Sequence, residues 1–241
     1  MTCNPLWPEI VANLPTGQYA SDRPDLTTRV FRAKFEELKE YTFNKNVLGR
    51  VDVHVHVIQS QKKGLPHVNM LIILEKQDKL QAPDDYDRIV RAEIPDKKKE
   101  PELYKCVKKW MIHGPCGSKC MREWKCKRGF PKQFYECTVQ GKDAYPVYQR
   151  RYDGNTTQMS KNFIADNRFL VPYNPWLLQN YDFHINVEVC STVQSVKYIY
   201  KYVYKGPDCI TFQVQPVHPE SENNEVTRYI NVRWVCAQEA M

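Results

Sequence analysis

Val51-Asp52-Val53-His54-Val55-His56-Val57-Ile58 alternates side-chain character without a break, and His67-Val68-Asn69-Met70-Leu71-Ile72-Ile73-Leu74 follows as a nearly continuous apolar run. A period of two marks a half-buried strand, and a short apolar run bounded by turn signals marks a buried one. Gln59 to Pro66 lies between them as a basic turn containing Lys62-Lys63-Gly64. Two strands joined in this way are antiparallel neighbours in a core sheet. His67 and Asn69, at i and i+2, point to one face, with Val68 on the other. His54-Val55-His56 in the first strand is a literal His-hydrophobe-His. Each pair is a candidate divalent-ion site, and each also has a plain reading as polar side chains satisfied on a strand.

Working outward, residues 5–24 hold Pro5, Pro8, Pro15, Gly17 and Pro24 and read as an extended leading segment. Asp25 is placed to cap a helix from Leu26 to about Thr42, in which Val30, Phe31, Phe35, Leu38 and Tyr41 fall near helical spacing. Tyr86 to Ala92 is a possible short helix, and Pro101 to Ile112 fits one, with Leu103, Tyr104, Val107 and Met111 on one face. His184 to Cys190 alternates as a strand, Cys209 to Gln215 is strand-like, and a helix or strand begins near Val226. In Val196 to Gly206, lysines 197, 201 and 205 recur every fourth position and tyrosines 198, 200, 202 and 204 every second. Read as a helix ended by Gly206-Pro207, it carries a lysine stripe and two tyrosine pairs, Tyr198/Tyr202 and Tyr200/Tyr204, each one turn apart. Such a pair either faces a phosphate as two nucleophiles or packs as the apolar side of an amphipathic helix.

A chain of 241 residues forms one large domain or two modest ones, and 42% apolar with 26% charged residues excludes a disordered protein. No apolar run is long enough for a membrane helix, and Met1-Thr2-Cys3-Asn4-Pro5 lacks the start of a secretory signal. The net charge of +7 points weakly to an anionic partner such as nucleic acid. Nine cysteines, odd in number and clustered, suit a reduced intracellular protein better than a disulfide framework. His113, Cys116, Cys120 and Cys126 put four soft ligands in a turn-rich stretch, as a tetrahedral structural zinc requires; Cys106 or Cys137 could replace His113 as the fourth. Lys125, Lys127, Arg128, Lys132, Arg150 and Arg151, interleaved with Trp124, Phe130, Phe134, Tyr148 and Tyr152, form a candidate surface for single-stranded DNA. The same residues also read as a solvated basic face.

Taken in order, several runs resemble the Rep (HUH endonuclease) domain of Helitron transposases, the helitron helicase-like N-terminal region. They begin with Asp22-Arg23-Pro24-Asp25-Leu26 and Gln61-Lys62-Lys63-Gly64-Leu65-Pro66-His67. His113-Gly114-Pro115-Cys116-Gly117 and Cys126-Lys127-Arg128-Gly129-Phe130-Pro131-Lys132 come next. Val171-Pro172-Tyr173-Asn174-Pro175, His184 to Cys190 and Lys197 to Gly206 complete the set, which spans roughly residues 15–240. The resemblance implies an α+β fold: a central antiparallel sheet flanked by helices, HUH/Rep-like, with an inserted Cys/His-rich, zinc-knuckle-like segment. Its parts would be the leading segment 1–24, a first Rep-like part 25–112, the basic Cys/His segment 113–154, and a second part 155–241 with the tyrosine helix.

The implied activity is metal-dependent nicking and strand transfer of single-stranded DNA in rolling-circle transposition. Tyr198 and Tyr202 would be the nucleophiles, with Lys201 stabilising phosphate charge, and Mg²⁺ or Mn²⁺ would be held by His67, Asn69 and Gln59. Zn²⁺ would sit on His113, Cys116, Cys120 and Cys126, and Lys62, Lys63, Lys132, Arg150 and Arg151 would contact DNA. Two positions depart from the family pattern: Asn69 stands where the second histidine belongs, and Gln59 where a carboxylate is usual. Neutral amide oxygens bind a hard cation more weakly than a carboxylate does, so a DNA-binding remnant with weakened or lost catalysis is the alternative. His54 and His56 align with non-ligand positions, and His56 or Glu188 is a possible third ligand. The family also implies a nuclear location and a helicase domain downstream; no ATPase motif occurs in this chain.

Overall fold

The computed structural model describes residues 1–60, 64–141 and 145–190, together with two strands at 209–213 and 229–233. The lysine–tyrosine run 197–206 and the turn residues Lys62 and Lys63 lie outside the described residues. The chain is α+β. Among the described residues its strands form four separate two-stranded antiparallel ladders, and the expected central antiparallel sheet is not seen among them.

The first ladder is the hairpin expected from the alternating pattern. β1 (Val51–Ser60) pairs with β2 (Pro66–Leu74) in a register that sets Gln59 opposite His67, Val57 opposite Asn69, and His56 opposite Met70. Pairing opposes side chains on the same face, so the even-numbered residues His54, His56, Val68 and Met70 share one face and Gln59, His67 and Asn69 the other. The even face packs on α2 (Pro24–Lys39), where Thr27, Phe31, Phe35 and Leu38 are buried at helical spacing. The His56 ring meets Phe35 edge-on at 5.0 Å, and His54 stacks on Phe43 at 4.0 Å. Phe31 and Phe35 are almost fully buried, and each side chain contributes roughly 1.5–3 kcal/mol by leaving water. His56 is thereby corrected as a third ligand beside His67: its ring, like that of His54, lies on the opposite side of the sheet.

The helix starts at Pro24 rather than after an Asp25 cap. Asp25 sits inside the first turn, where the Arg23 guanidinium grips it at 2.9 and 2.7 Å and holds its carboxyl well below the usual range. The leading segment is not extended throughout. α1 (Pro8–Val11) interrupts it, and Trp7 and Ile10 enter the core, with Trp7 Nε1 donating to Tyr181 O at 3.0 Å. Met1 to Cys3 run beside β2: Val68 N donates to Met1 O, Cys3 N to Pro66 O, and Thr2 bridges to His67. β2 is therefore lined by backbone on both edges, which the sequence did not foretell.

α3 (Pro83–Ile89) begins three residues before the expected short helix, and α4 (Pro101–Trp110) falls where expected, burying Leu103 and Val107. α4 packs against α5 (Pro175–Tyr181), whose first turn Asn174 caps by accepting from Leu177 N at 2.9 Å. β3 (Met121–Arg122) and β4 (Lys125–Cys126) form a minimal hairpin, and β5 (Thr157–Ser160) pairs with β6 (Phe163–Ala165). β7 (Cys209–Gln213) pairs with β8 (Tyr229–Arg233), in agreement with the strand-like pattern of the tail. His184 to Cys190 is a correction: it alternates but joins no ladder. Its amides find scattered partners instead, Val187 N donating to Pro172 O and Val189 N to Tyr148 Oη.

Arg150 and Arg151 lie on either side of the core boundary. Arg150 is 4% exposed, and its guanidinium Nη1 donates to Asn167 O, Leu170 O and Ala92 O at 2.7, 2.8 and 3.3 Å. Burial pulls its pKa down to about 10, which leaves it cationic at neutral pH. Arg151 forks onto the buried carboxylate of Glu93 at 2.9 and 2.6 Å. Both were expected to contact DNA; Arg150 is buried, whereas half of the Arg151 side chain is exposed. Through Nη1, Arg150 ties its own segment to Ala92 and to residues 167–170, and Arg151 is paired with Glu93. Arg150→Met removes the donor and strands those carbonyls in the core. A loss of about 3 kcal/mol of unfolding free energy is expected, seen as a lower urea midpoint at unchanged slope.

Candidate metal centre

α4 delivers the chain through Met111 and Ile112 to His113, whose backbone N–H donates to Phe169 O at 2.8 Å while Ile112 bridges to Leu170. The next residue must be glycine. Gly114 has φ +133°, and a Cβ there would stand 2.7 Å from the Phe163 ring. The chain then turns through Ser118–Cys120 and the β3–β4 hairpin, which sets Cys120 and Cys126 side by side.

His113 Nε2 lies 3.1 Å from Cys126 Sγ, 3.2 Å from Cys116 Sγ and 3.7 Å from Cys120 Sγ, and the Cys120 and Cys126 sulfurs are 3.6 Å apart. All four ligand atoms lie within 4.8 Å of one another. A zinc ion bound at about 2.3 Å to sulfur and about 2.0 Å to nitrogen separates tetrahedral ligand atoms by about 3.5–3.8 Å, so the cluster fits a metal such as zinc. Its electrostatics suit the role. Some burial works against a thiolate at Cys126, but the backbone N–H groups of Phe130 and Arg128, with His113, outweigh it and bring the thiol to about 6. Cys116 moves the other way, to about 11, through burial and its neighbours Cys126 and Cys120. The His113 ring stacks on Phe130 at 4.2 Å, and the Lys132 ammonium sits over the same ring at 5.1 Å. Of the alternatives, Cys106 lies beside Asp182, and Cys137 is exposed and outside the cluster. His113 is thus the fourth member.

The second candidate centre is on the odd face of the hairpin. His67 Nε2 is 3.2 Å from Asn69 Oδ1, His67 Nδ1 is 2.7 Å from Thr2 Oγ1, and Gln59 stands directly across the ladder. Neighbouring ligands on one octahedral ion are about 3 Å apart, so the His67–Asn69 spacing fits a shared cation as well as a hydrogen bond. Burial, followed by the nearby terminal amine, lowers the His67 pKa to about 4, leaving the imidazole neutral at physiological pH as a ligand must be. A metal on Nε2 would require the tautomer in which Nδ1–H donates to Thr2 Oγ1; the hydrogen bond to Asn69 Oδ1 uses the other, with Nε2–H donating and Thr2 Oγ1–H donating to Nδ1. Asn69 Nδ2 is buried without an acceptor. Among the described residues no carboxylate joins these side chains in a cluster of three. Glu188 accepts from Asn186 Nδ2 and lines an apolar cleft of about 650 Å³ between β2 and residues 185–190. Sequence reading passed over Thr2, because nothing in a residue sixty-five positions away announces contact with His67.

Lys132 is exposed, as a nucleic-acid contact must be, with its ammonium near Arg128 O at 3.3 Å. Tyr198, Tyr202 and Lys201 fall outside the described residues.

Comparison with known families places the start of this chain. Residues 1–72 match the family described as the Helitron helicase-like domain at the N-terminus. The match takes in α1, α2 and the hairpin through Ile72, including Gln59, His67 and Asn69, and ends before the Cys/His cluster. Over this stretch the resemblance read from the motifs is matched by that family's model. No curated protein matches the chain.

The Cys/His cluster is directly testable. Reduced protein titrated with Co²⁺ is expected to take up about one equivalent with the visible absorption of a tetrahedral thiolate site. Cys120→Ser should weaken or abolish that band, whereas Cys137→Ser should leave it intact.

Proposed function

We propose that this protein is the DNA-processing module of a Helitron-type, rolling-circle transposase, acting on single-stranded DNA in the nucleus. The observation that carries the reading is the convergence of Gln59, His67 and Asn69 on one face of the β1–β2 hairpin, inside the stretch that matches the family. His67, Asn69 and Gln59 would hold Mg²⁺ or Mn²⁺, which when bound polarises the scissile phosphate. The nucleophiles are Tyr198 and Tyr202. A phenol with a pKa of about 10 is scarcely ionised at neutral pH, so it needs a nearby cation, and Lys201 in the same run is the candidate. Attack forms a tyrosine O–P bond as the P–O3′ bond breaks. The 5′-phosphate stays on the enzyme, and the departing 3′ oxygen takes a proton to become a hydroxyl. A second tyrosine permits a second transfer while the first is occupied. Lys62, Lys63 and Lys132 would hold the strand, and a helicase domain is the expected partner.

A second reading has its own observation. Both positions that depart from the family, Gln59 and Asn69, supply neutral amides, and such ligands bind divalent cations weakly. A protein that binds single strands without cutting them would keep the fold, the Cys/His cluster and the basic surface.

One experiment separates the two. The protein is incubated with a labelled single-stranded oligonucleotide and Mn²⁺ or Mg²⁺ and resolved on a denaturing gel. A metal-dependent covalent band, lost in the Tyr198→Phe/Tyr202→Phe double variant, is the expected result. Binding without a band, with a band appearing in the Asn69→His/Gln59→Glu variant, would show a binder whose metal site has lapsed. No band from either protein would end the nickase reading.

A further inference from the structure

The β3–β4 hairpin ends in a two-residue turn, Glu123-Trp124, with φ +49° and +62°. Two consecutive left-handed residues fit the right-handed twist of a tight hairpin, and glycine, asparagine or aspartate normally fills them. Tryptophan at such a position is strained. It is also 96% exposed, so the largest apolar side chain in the repertoire gains nothing from the core. The fold carries two unfavourable features at one residue without compensation, which directs attention to a ligand.

The surroundings say what kind. Residues 118–132 contain six lysines and arginines, at 119, 122, 125, 127, 128 and 132, against one carboxylate, Glu123. Glu123 is itself 3.6 Å from the Arg122 guanidinium. Protein-binding hot spots set aromatics in an apolar patch depleted of lysine, whereas a ring among cations matches a polyanion with exposed π-faces. A duplex keeps its base faces stacked; a single strand offers them. The turn is also well supported. Cys120 and Cys126 bracket the hairpin, Met121 pairs with Cys126, and Lys127 N donates to Cys120 O at 2.9 Å. Two of the four metal-cluster ligands therefore hold its base, so the backbone that displays the indole has little freedom to lose on binding.

We propose that Trp124 is a stacking platform for an unpaired nucleobase, displayed by the Cys/His cluster and flanked by cations that hold the adjoining phosphates. This rests on the single-stranded-DNA reading above and assigns that strand a path across the β3–β4 turn, apart from the His67 face.

The test uses the full zinc-loaded chain and two fluorescent probes of equal length: an oligothymidine and an abasic strand that keeps the phosphates. Trp124→Gly is expected to retain metal and melt no lower than the parent, because glycine relieves the strained turn. It should bind oligothymidine roughly 5- to 100-fold more weakly, as the loss of one base–aromatic stack implies, while affinity for the abasic strand stays the same. Trp124→Tyr should recover part of the loss. Equal affinity of the parent and the glycine variant for oligothymidine would overturn the platform and leave the DNA-binding reading intact, as would an equal loss on both probes. Absence of binding by the parent to either probe would remove both. A Trp124-dependent attachment to anionic phospholipid vesicles, with no effect on oligothymidine, would assign the indole to a membrane surface and overturn the proposal.

Discussion

The register of the β1–β2 hairpin is the constraint on which the candidate chemistry depends. With Gln59 opposite His67, the end of the odd-numbered face next to the turn carries Gln59, His67 and Asn69, and the even-numbered face, with His56 and Val68, packs against α2 and the core. A slip of one residue would exchange the two faces, turning His67 toward Phe35 and Val68 toward Thr2. Burial of Val68 against the core is what forbids that slip. The site is therefore set by a buried apolar residue between its two polar members.

Away from that hairpin, irregular segments are held together by polar groups more than by ladders. Arg150 and Asn167 form a buried knot: Asn167 Oδ1 accepts from Ile94 N, its Nδ2 donates to Arg151 O, and its carbonyl accepts from Arg150. Each of these backbone groups would otherwise be buried without a partner, which is costlier than the net gain of an ordinary hydrogen bond. Irregular segments such as 145–155 and 166–173 can thus lie against the core without belonging to a sheet. The Cys/His segment inherits this support, since the neighbours of His113 are fixed through Phe169 and Leu170.

Charge is distributed in keeping with this arrangement. The arginines nearest the core, Arg150 and Arg151, are consumed by carbonyls and by Glu93, and Arg168 is consumed by Asp166 at 2.7 Å. Many of the cations on the Cys/His segment remain at the surface. Counting lysines and arginines in the sequence cannot separate these groups, because a guanidinium donates equally well to a phosphate and to a buried carbonyl.

The sequence by itself determined the elements whose signal is local. The alternation of 51–58, the apolar run of 67–74, the helical spacing of 27–38 and 103–111, and the four-ligand spacing of 113–126 all follow from side-chain period and backbone reach. Matters decided between distant segments were legible only in the tertiary structure. His184 to Cys190 has a strand's pattern but meets no free strand edge, so its amides bond elsewhere. Arg150 reads as a surface cation until three carbonyls from other segments surround it. Thr2 acquires its contact with His67 because the first residues run along β2. Period and propensity act over a few residues, whereas burial and the obligation to satisfy every buried polar group are settled by whichever segments fold against one another.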